Sequence, residues 1–272
     1  MTFDSNTPLA ELPLLFLDLE TTGLDSGAGH RVAEVALLRE RGGVPEGYLD
    51  SLVNPGRPLD LAAAAVNGLL DEELARAPHF AALAPAVEAL AQGAILVGHH
   101  VLFDLTFLAA ELAGVGRPPL AGPSLDTLTL ARRLLRRKSY SLGALAAEFA
   151  LPRPTHRAMA DVLATRALFF QLAATMAELG VVSLGDALRL ERGLPPGTSE
   201  PEPPALIAQA LAEGRALLIV YRSHSTPEPT ARTVRPLYLT VERSGLFLKA
   251  FCELRQDVRS FAIAKIEAME LA

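Results

Sequence analysis

Five residues have the types and spacing to do chemistry together. Asp18 and Glu20 close an apolar run, residues 14–19, and stand two apart. In a strand, positions i and i+2 face the same way, so both carboxylates leave one side beside Gly23. Two like charges raise each other's pKa and are costly to bury, and a hard divalent cation reverses that penalty. For this pair alone, a strand end whose acids reach solvent is the competing reading. Asp104 sits where residues 99–108 enter a helix, with Phe103 and Phe107 four apart on one face. The dipole at that helix start also favours a carboxylate. His156 lies five residues before Asp161 and follows Pro152 and Pro154. That places the imidazole in a loop or first turn and the carboxylate one turn into a helix. Four carboxylates and one imidazole suit two-metal phosphodiester hydrolysis. Two cations about 4 Å apart clamp the attacking and leaving oxygens, and a neutral His takes the proton of the attacking water.

The elements that must position them follow from the apolar patterning. Residues 14–19, 31–38 and 47–53 read as three strands in an antiparallel meander, with residues 42–45 turning between the last two. Short helical pieces begin near Ala62 and Asp71, and a clearer helix covers 80–92. Residues 94–98 form a short buried strand ahead of the Asp104 helix. Residues 124–137, 141–150 and 157–179 read as helices, and 181–194 as one more. Strands followed by alternating helix and strand give an α/β layer fold. The 124–137 helix ends in Arg132, Arg133, Arg136, Arg137 and Lys138, which suits a helix C-terminus and equally suits phosphates. Asp126 reads as a capping side chain. His30, His79, His99 and His224 read as loop or surface residues.

The same residues carry a resemblance. Phe16-Leu17-Asp18-Leu19-Glu20-Thr21-Thr22-Gly23-Leu24 resembles the first motif of the DEDDh 3′–5′ exonucleases, which include the proofreading subunit of bacterial DNA polymerase III. Val97-Gly98-His99-His100-Val101-Leu102-Phe103-Asp104 resembles the second motif, and His156-Arg157-Ala158-Met159-Ala160-Asp161 the third. The order and spacing match over residues 12–175. The resemblance implies an RNase H-like mixed sheet with flanking helices. It implies two Mg²⁺ or Mn²⁺ on Asp18, Glu20, Asp104 and Asp161, with His156 as general base. It places Thr21 and Leu24 against the substrate's terminal nucleotide, and Asn67, His100 and Phe103 are further candidate substrate-binding residues. Two positions depart from the pattern. His100 stands where Asn is usual, and Val66-Asn67-Gly68 stands where a His-Gly pair is frequent.

Residues 195–204 hold five prolines and almost nothing to bury, which reads as a linker. Beyond it lie a short amphipathic helix, 205–213, and strand-like stretches 217–222, 233–241, 246–252 and 259–266. This part resembles a WYL domain, a small Sm-like β module often found in bacterial transcriptional regulators. Its naming tripeptide appears here as Leu246-Phe247-Leu248, and Lys265 stands where Arg is usual. Arg222, Arg232, Arg235, Arg259 and Lys265, with Arg255, make a candidate phosphate-facing patch. Tyr221, Phe247 and Phe251 are candidate base-stacking residues. The competing reading makes the aromatics core and the arginines a solvated face. The expected organisation is a leader, 1–12; an exonuclease domain, 13–180; a helix and linker, 181–204; and a WYL-like domain, 205–272.

Composition bounds the rest. Half of the 272 residues are apolar and 21% are charged, ordinary for a globular protein. Cys252 is the one cysteine, which excludes an intrachain disulfide and a cysteine-based zinc site. Residues 1–10 lack the basic start of a signal peptide, and no apolar run has the roughly 18 residues of a membrane span, so a cytoplasmic protein is expected. The net charge of −6 argues against a protein that coats nucleic acid by bulk charge. From Ala205 onward, 9 Lys+Arg face 7 Asp+Glu, so that part carries +2 and the remainder −8. The expected activity is a metal-dependent 3′–5′ exonuclease acting mainly on single-stranded DNA 3′ ends and releasing nucleoside 5′-monophosphates. The alternatives are a 3′–5′ exoribonuclease and a non-catalytic regulator that senses nucleic acid or a ligand. No motif points to a polymerase partner.

Overall fold

The central strand, β1 (Pro13–Thr21), is apolar on both faces until its last turn, so it must be covered on both sides. The computed structural model describes residues 4–223, 228–255 and 257–272. It divides into two units, Met1–Leu188 and Arg189–Ala272.

In the first unit, β2 (Val32–Arg41) and β3 (Val44–Leu52) form the expected antiparallel meander with β1. Two short strands, β4 (Ile95–Gly98) and β5 (Ser124–Asp126), run parallel to β1, giving the order β3-β2-β1-β4-β5. This is the mixed sheet with flanking helices implied by the motifs. α1 (Leu61–Asn67), α2 (Asp71–Leu74) and α3 (Phe80–Ala91) precede β4. α4 (Val101–Gly114) joins β4 to β5. α5 (Thr127–Leu134), α6 (Leu142–Glu148), α7 (Ala158–Glu178) and α8 (Leu184–Glu191) follow. Alternation along β1 assigns the two faces. Leu15, Leu17 and Leu19 pack with Phe80 and Val87 of α3 and Phe107, Leu108 and Leu112 of α4. Phe16 points the other way, against Phe169 of α7 at 5.6 Å between ring centres. Asp18 and Glu20 share the parity of Phe16.

Three expectations need correction here. Ser124–Asp126 is a strand, because it pairs with β4 and buries Leu125 completely; the helix starts at Thr127 and stops at Leu134, short of Arg136. The pairing is long-range, so it overrides the local helix pattern. The leader is tied down from residue 5. The Leu9 N–H donates to the Val182 carbonyl at 2.9 Å, the Gly185 N–H to the Ser5 carbonyl at 2.7 Å, and Leu9 and Leu12 are buried. Residues 1–3 lie outside the described residues. Third, the Pro-rich stretch is held in place within the second unit. Arg189 and Arg192 both grip Glu200, at 2.5 and 2.8 Å, and Arg192 Nε donates to the Leu239 carbonyl.

The second unit packs α9 (Ala205–Glu213) on an antiparallel sheet. Its strands are β6 (Leu217–Tyr221), β7 (Thr230–Glu242), β8 (Gly245–Cys252), β9 (Asp257–Ala262) and β10 (Ile266–Leu271). Their order is β10-β6-β7-β8-β9. The expected strand 259–266 ends at Ala262. A 3-10 turn, Ile263–Lys265, reverses the chain so that β10 can pair with β6. Ile207, Leu217, Val234, Leu248, Cys252 and Phe261 fill the core.

Candidate active site

The acidic end of β1 is shaped by its neighbour. Asp18 lies opposite Ala36 and Glu20 opposite Glu34 of β2, and the register slips between Glu20 and Thr21, where the strand leaves the sheet. Asp18 and Glu20 are half-buried. Asp104, in the first turn of α4, is buried and accepts the Leu19 N–H at 3.0 Å, so α4 is docked onto the same strand end. Asp161, in the first turn of α7, is also buried. Its Oδ1 accepts the N–H groups of Thr155 at 2.8 Å and His156 at 3.2 Å. His156 has φ 58° and its side chain is exposed. Ligand atoms of Glu20, His156 and Asp161 lie within 4.8 Å of one another. Asp18 and Asp104 are outside that group but close enough to act on each other electrostatically, as Asp161 and Glu20 act on Asp18.

All four carboxylates are pushed above their ordinary range. For Asp18 the causes are burial, then Asp104, Asp161, Glu20 and Glu34. Burial raises Asp104, partly offset by the Leu19 N–H bond. Glu20 is pushed up to about 8 by burial, then Asp161 and Glu34; a hydrogen bond from Asn67 pulls it back. Burial raises Asp161, against the Thr155 N–H bond and the nearby His156. Arg157 also favours the charged form of Glu20, but its guanidinium is committed to Glu34, Nη2 to Oε1 at 2.8 Å. A cluster of oxygen donors lacking positive charge, with one imidazole at its rim, fits a hard divalent cation.

Several side chains hold this arrangement, and only some were visible beforehand. Glu34 is buried, takes Arg157 in a bidentate pair and accepts the Ala158 N–H at 3.0 Å, so it caps α7 beside His156. Its signal was a lone charge inside an apolar strand. Asn67 is buried at the end of α1; its Oδ1 accepts the Leu69 N–H while its amide serves Glu20. Asp126 does cap α5 through the Leu128 N–H, as expected. Its Oδ1 also accepts the His100 N–H at 2.7 Å. His100 has φ 73°, a left-handed conformation that Asn and His tolerate better than most residues, which explains His at an Asn position. Its ring stacks on Phe103 at 6.3 Å.

Two histidines expected at the surface are structural. His30 is 15% exposed and links Thr22 Oγ1 (3.3 Å) to Asp60 (3.5 Å). It presses on Gly23 so closely that a Cβ there would stand 2.3 Å from the ring. His99 is half-buried between Thr127 Oγ1 and the Tyr140 carbonyl, and burial holds its pKa low. His79 is exposed, as expected, and His224 lies outside the described residues. Thr21 is buried, with its hydroxyl on the Gly23 carbonyl at 2.7 Å, and Leu24 beside it is 87% exposed. In the second unit, Arg222, Arg235 and Arg259 pair with Glu267, Glu253 and Asp257, and Arg232 Nε donates to Thr230. Lys265 lies in the turn between β9 and β10. Tyr221 packs edge-on against Phe261, so it belongs to the core. Phe247 and Phe251 are partly buried.

A family model described as Exonuclease matches residues 15–169, and one described as WYL domain matches residues 204–271. A DNA polymerase III subunit epsilon-like protein of Rhodobacter capsulatus is 33% identical over 190 residues, covering 68% of this chain and 27% of the relative. A PolC-type DNA polymerase III of Thermotoga maritima is 27% identical over 187 residues, covering 68% and 14%. The chain thus spans about a quarter or less of the length of these two relatives. Exonuclease X, solved with 5′ overhanging duplex DNA, aligns with a TM-score of 0.51 and 26% identity over 65% of this chain and 99% of its own. E. coli exonuclease I, solved with a dA16 oligonucleotide, aligns with a TM-score of 0.56 and 20% identity over 89% of this chain and 55% of its own, a likeness of fold.

Proposed function

Because the chain belongs to the exonuclease family, we propose that it shortens single-stranded DNA from the 3′ end and releases nucleoside 5′-monophosphates. The observation that carries this reading is the convergence of Asp18, Glu20, Asp104, Asp161 and His156 at one strand end, with every carboxylate pKa raised. Catalysis is assigned to residues 13–180. Residues 205–272 are read as a tethering or regulatory module, joined through 181–204. Asp18, Glu20, Asp104 and Asp161 would hold two Mg²⁺ or Mn²⁺. When bound, these cations would neutralise the scissile phosphate and stabilise the attacking and leaving oxygens.

The chain's own residues do the remainder. His156 stands at the rim on a turn fixed by Asp161 Oδ1, where an exposed imidazole accepts the proton of the attacking water. The Asn67 amide favours the ionised form of Glu20. Thr21 and Leu24, with His100 and Phe103, flank the strand end and receive the terminal nucleotide.

Asn67→Ala should lower activity about tenfold near neutral pH, by removing a side chain that orients a ligand. Glu20 then titrates higher still, and protons compete better with the cation. The defect should therefore shrink as pH or metal concentration rises. A loss independent of both would separate Asn67 from Glu20.

The reading is tested with 5′-labelled single-stranded DNA and RNA of one sequence, incubated with Mg²⁺, Mn²⁺ or EDTA. A ladder shortening from the 3′ end, dependent on metal and absent in Asp18→Ala, is expected, with DNA preferred. Faster shortening of RNA would make the chain an exoribonuclease. Binding without shortening of either polymer would make it a regulator.

A further inference from the structure

The chain's positive charge is concentrated in one place. Residues 127–157 carry 7 Lys+Arg and 1 Asp+Glu, a net of +6 in a protein of net −6, so the other residues sum to −12. Like charges gathered against the overall balance repel one another, so they invite an anion. As a helix C-terminus the cluster would need no ligand. That explanation does not reach Arg136 or Lys138, because α5 ends at Leu134 and the Leu135 N–H already closes it on Ala131.

Four members are committed elsewhere, among them Arg157, held by Glu34, and Arg133, which also has a partner. Arg137 pairs with Glu148, and Arg132 lies over the Tyr140 ring at 6.0 Å. Arg136, Lys138 and Arg153 are exposed, and their side chains have no partner among the described residues. Both loops that carry them are anchored at the acidic site. Tyr140, two residues after Lys138, bonds His99 through its carbonyl at 3.0 Å, and His99 leads into His100 and α4. Arg153 lies two residues before Thr155, whose N–H is held by Asp161. The second loop also returns to the start of α6, which the first loop leads into: a Cβ on Gly143 would stand 3.8 Å from Pro154.

We propose that Arg136, Lys138 and Arg153 form a phosphate track that guides a single strand, 5′ of its terminal nucleotide, to the carboxylates. This rests on the exonuclease reading of the site. The track offers charge without base recognition. Tyr140 is occupied by Arg132 on its ring and by the Leu135 carbonyl and the Arg137 N–H at its hydroxyl. Binding along it is therefore tolerant of sequence and sensitive to salt.

The test measures fluorescence anisotropy of a labelled single-stranded oligonucleotide about 20 nucleotides long, in EDTA, against the full chain. The variant Arg136→Ser/Lys138→Ser/Arg153→Ser should raise Kd about tenfold at low salt. The slope of log Kd against log salt should become shallower by about 2. The charge-preserving variant Arg136→Lys/Lys138→Arg/Arg153→Lys should bind like the wild type. An unchanged Kd and slope in the triple serine variant would overturn the track, whether or not the wild type turns over DNA. A weakened serine variant, together with a wild type that shortens no strand in Mg²⁺ or Mn²⁺, would leave the track standing and remove the nuclease reading.

Discussion

Asp18→Asn is expected to abolish turnover and, with no metal present, to make the protein more stable. The first effect follows if Asp18 holds a catalytic cation. A loss of about a thousandfold or more, roughly 4 kcal/mol of transition-state stabilisation, is expected. The second follows from the electrostatics alone. Asp18 repels Asp104, Asp161, Glu20 and Glu34, and all of these interactions raise its pKa. Removing its charge relieves them. Partial exposure at Asp18 and Glu20 screens part of that relief, so a modest rise in the thermal midpoint of the metal-free protein is expected.

The sign with pH is fixed by the same shifts. A carboxyl with a raised folded pKa binds its proton more readily in the folded state. Between the ordinary carboxylate range and about 8, where Glu20 titrates, the unfolded chain therefore holds fewer protons, and stability falls as pH rises. Thermal midpoints in EDTA should fall across that window in the wild type, more gently in Asp18→Asn, and least in wild type with Mg²⁺ or Mn²⁺. A metal-free protein whose midpoint rises across the window, or an Asp18→Asn variant that keeps its turnover, would be incompatible with this account.

Glu34→Ala should be the most damaging substitution outside the five site residues. It leaves the Ala158 N–H at the start of α7 without an acceptor and releases Arg157. Removing one member of a buried pair costs about 3–5 kcal/mol. Arg157 can turn to solvent, because its side chain is 52% exposed, so about 2–3 kcal/mol is expected here. The comparison belongs in Mg²⁺, where relief of carboxylate repulsion no longer offsets the loss. The turn at His156 and Asp161 also loosens, so kcat should fall at least about tenfold while KM changes little. Glu34→Gln keeps an acceptor for Ala158 and should recover most of the stability. If KM rose and kcat were unchanged, Glu34 would have no part in placing His156.

Much of the site could be read from the chain because its parts are local patterns. Alternation sends Asp18 and Glu20 to one side of β1 whatever else the protein does. The prolines before His156 keep it out of the helix that carries Asp161. The apolar face of residues 80–92 announced its helix because burial has a helical period. The Ser124–Asp126 strand escaped that reading. Three residues hold no period, and only pairing with β4 makes them a strand. β10 escaped for the same reason, since it exists by pairing with β6.

The sequence by itself put forward the five candidate residues, their order along the chain and the flanking fold, because each shows in patterns within a few turns. The tertiary structure decided which other groups join the site. Antiparallel register put Glu34 opposite Glu20, the β4–β5 pairing brought Asp126 to the His100 N–H, and the end of α1 delivered Asn67 to Glu20. It also decided which cations stay free, since Arg137 found Glu148 while Arg136 and Lys138 found no partner among the described residues. These outcomes rest on distances between residues far apart in sequence, which no local pattern encodes.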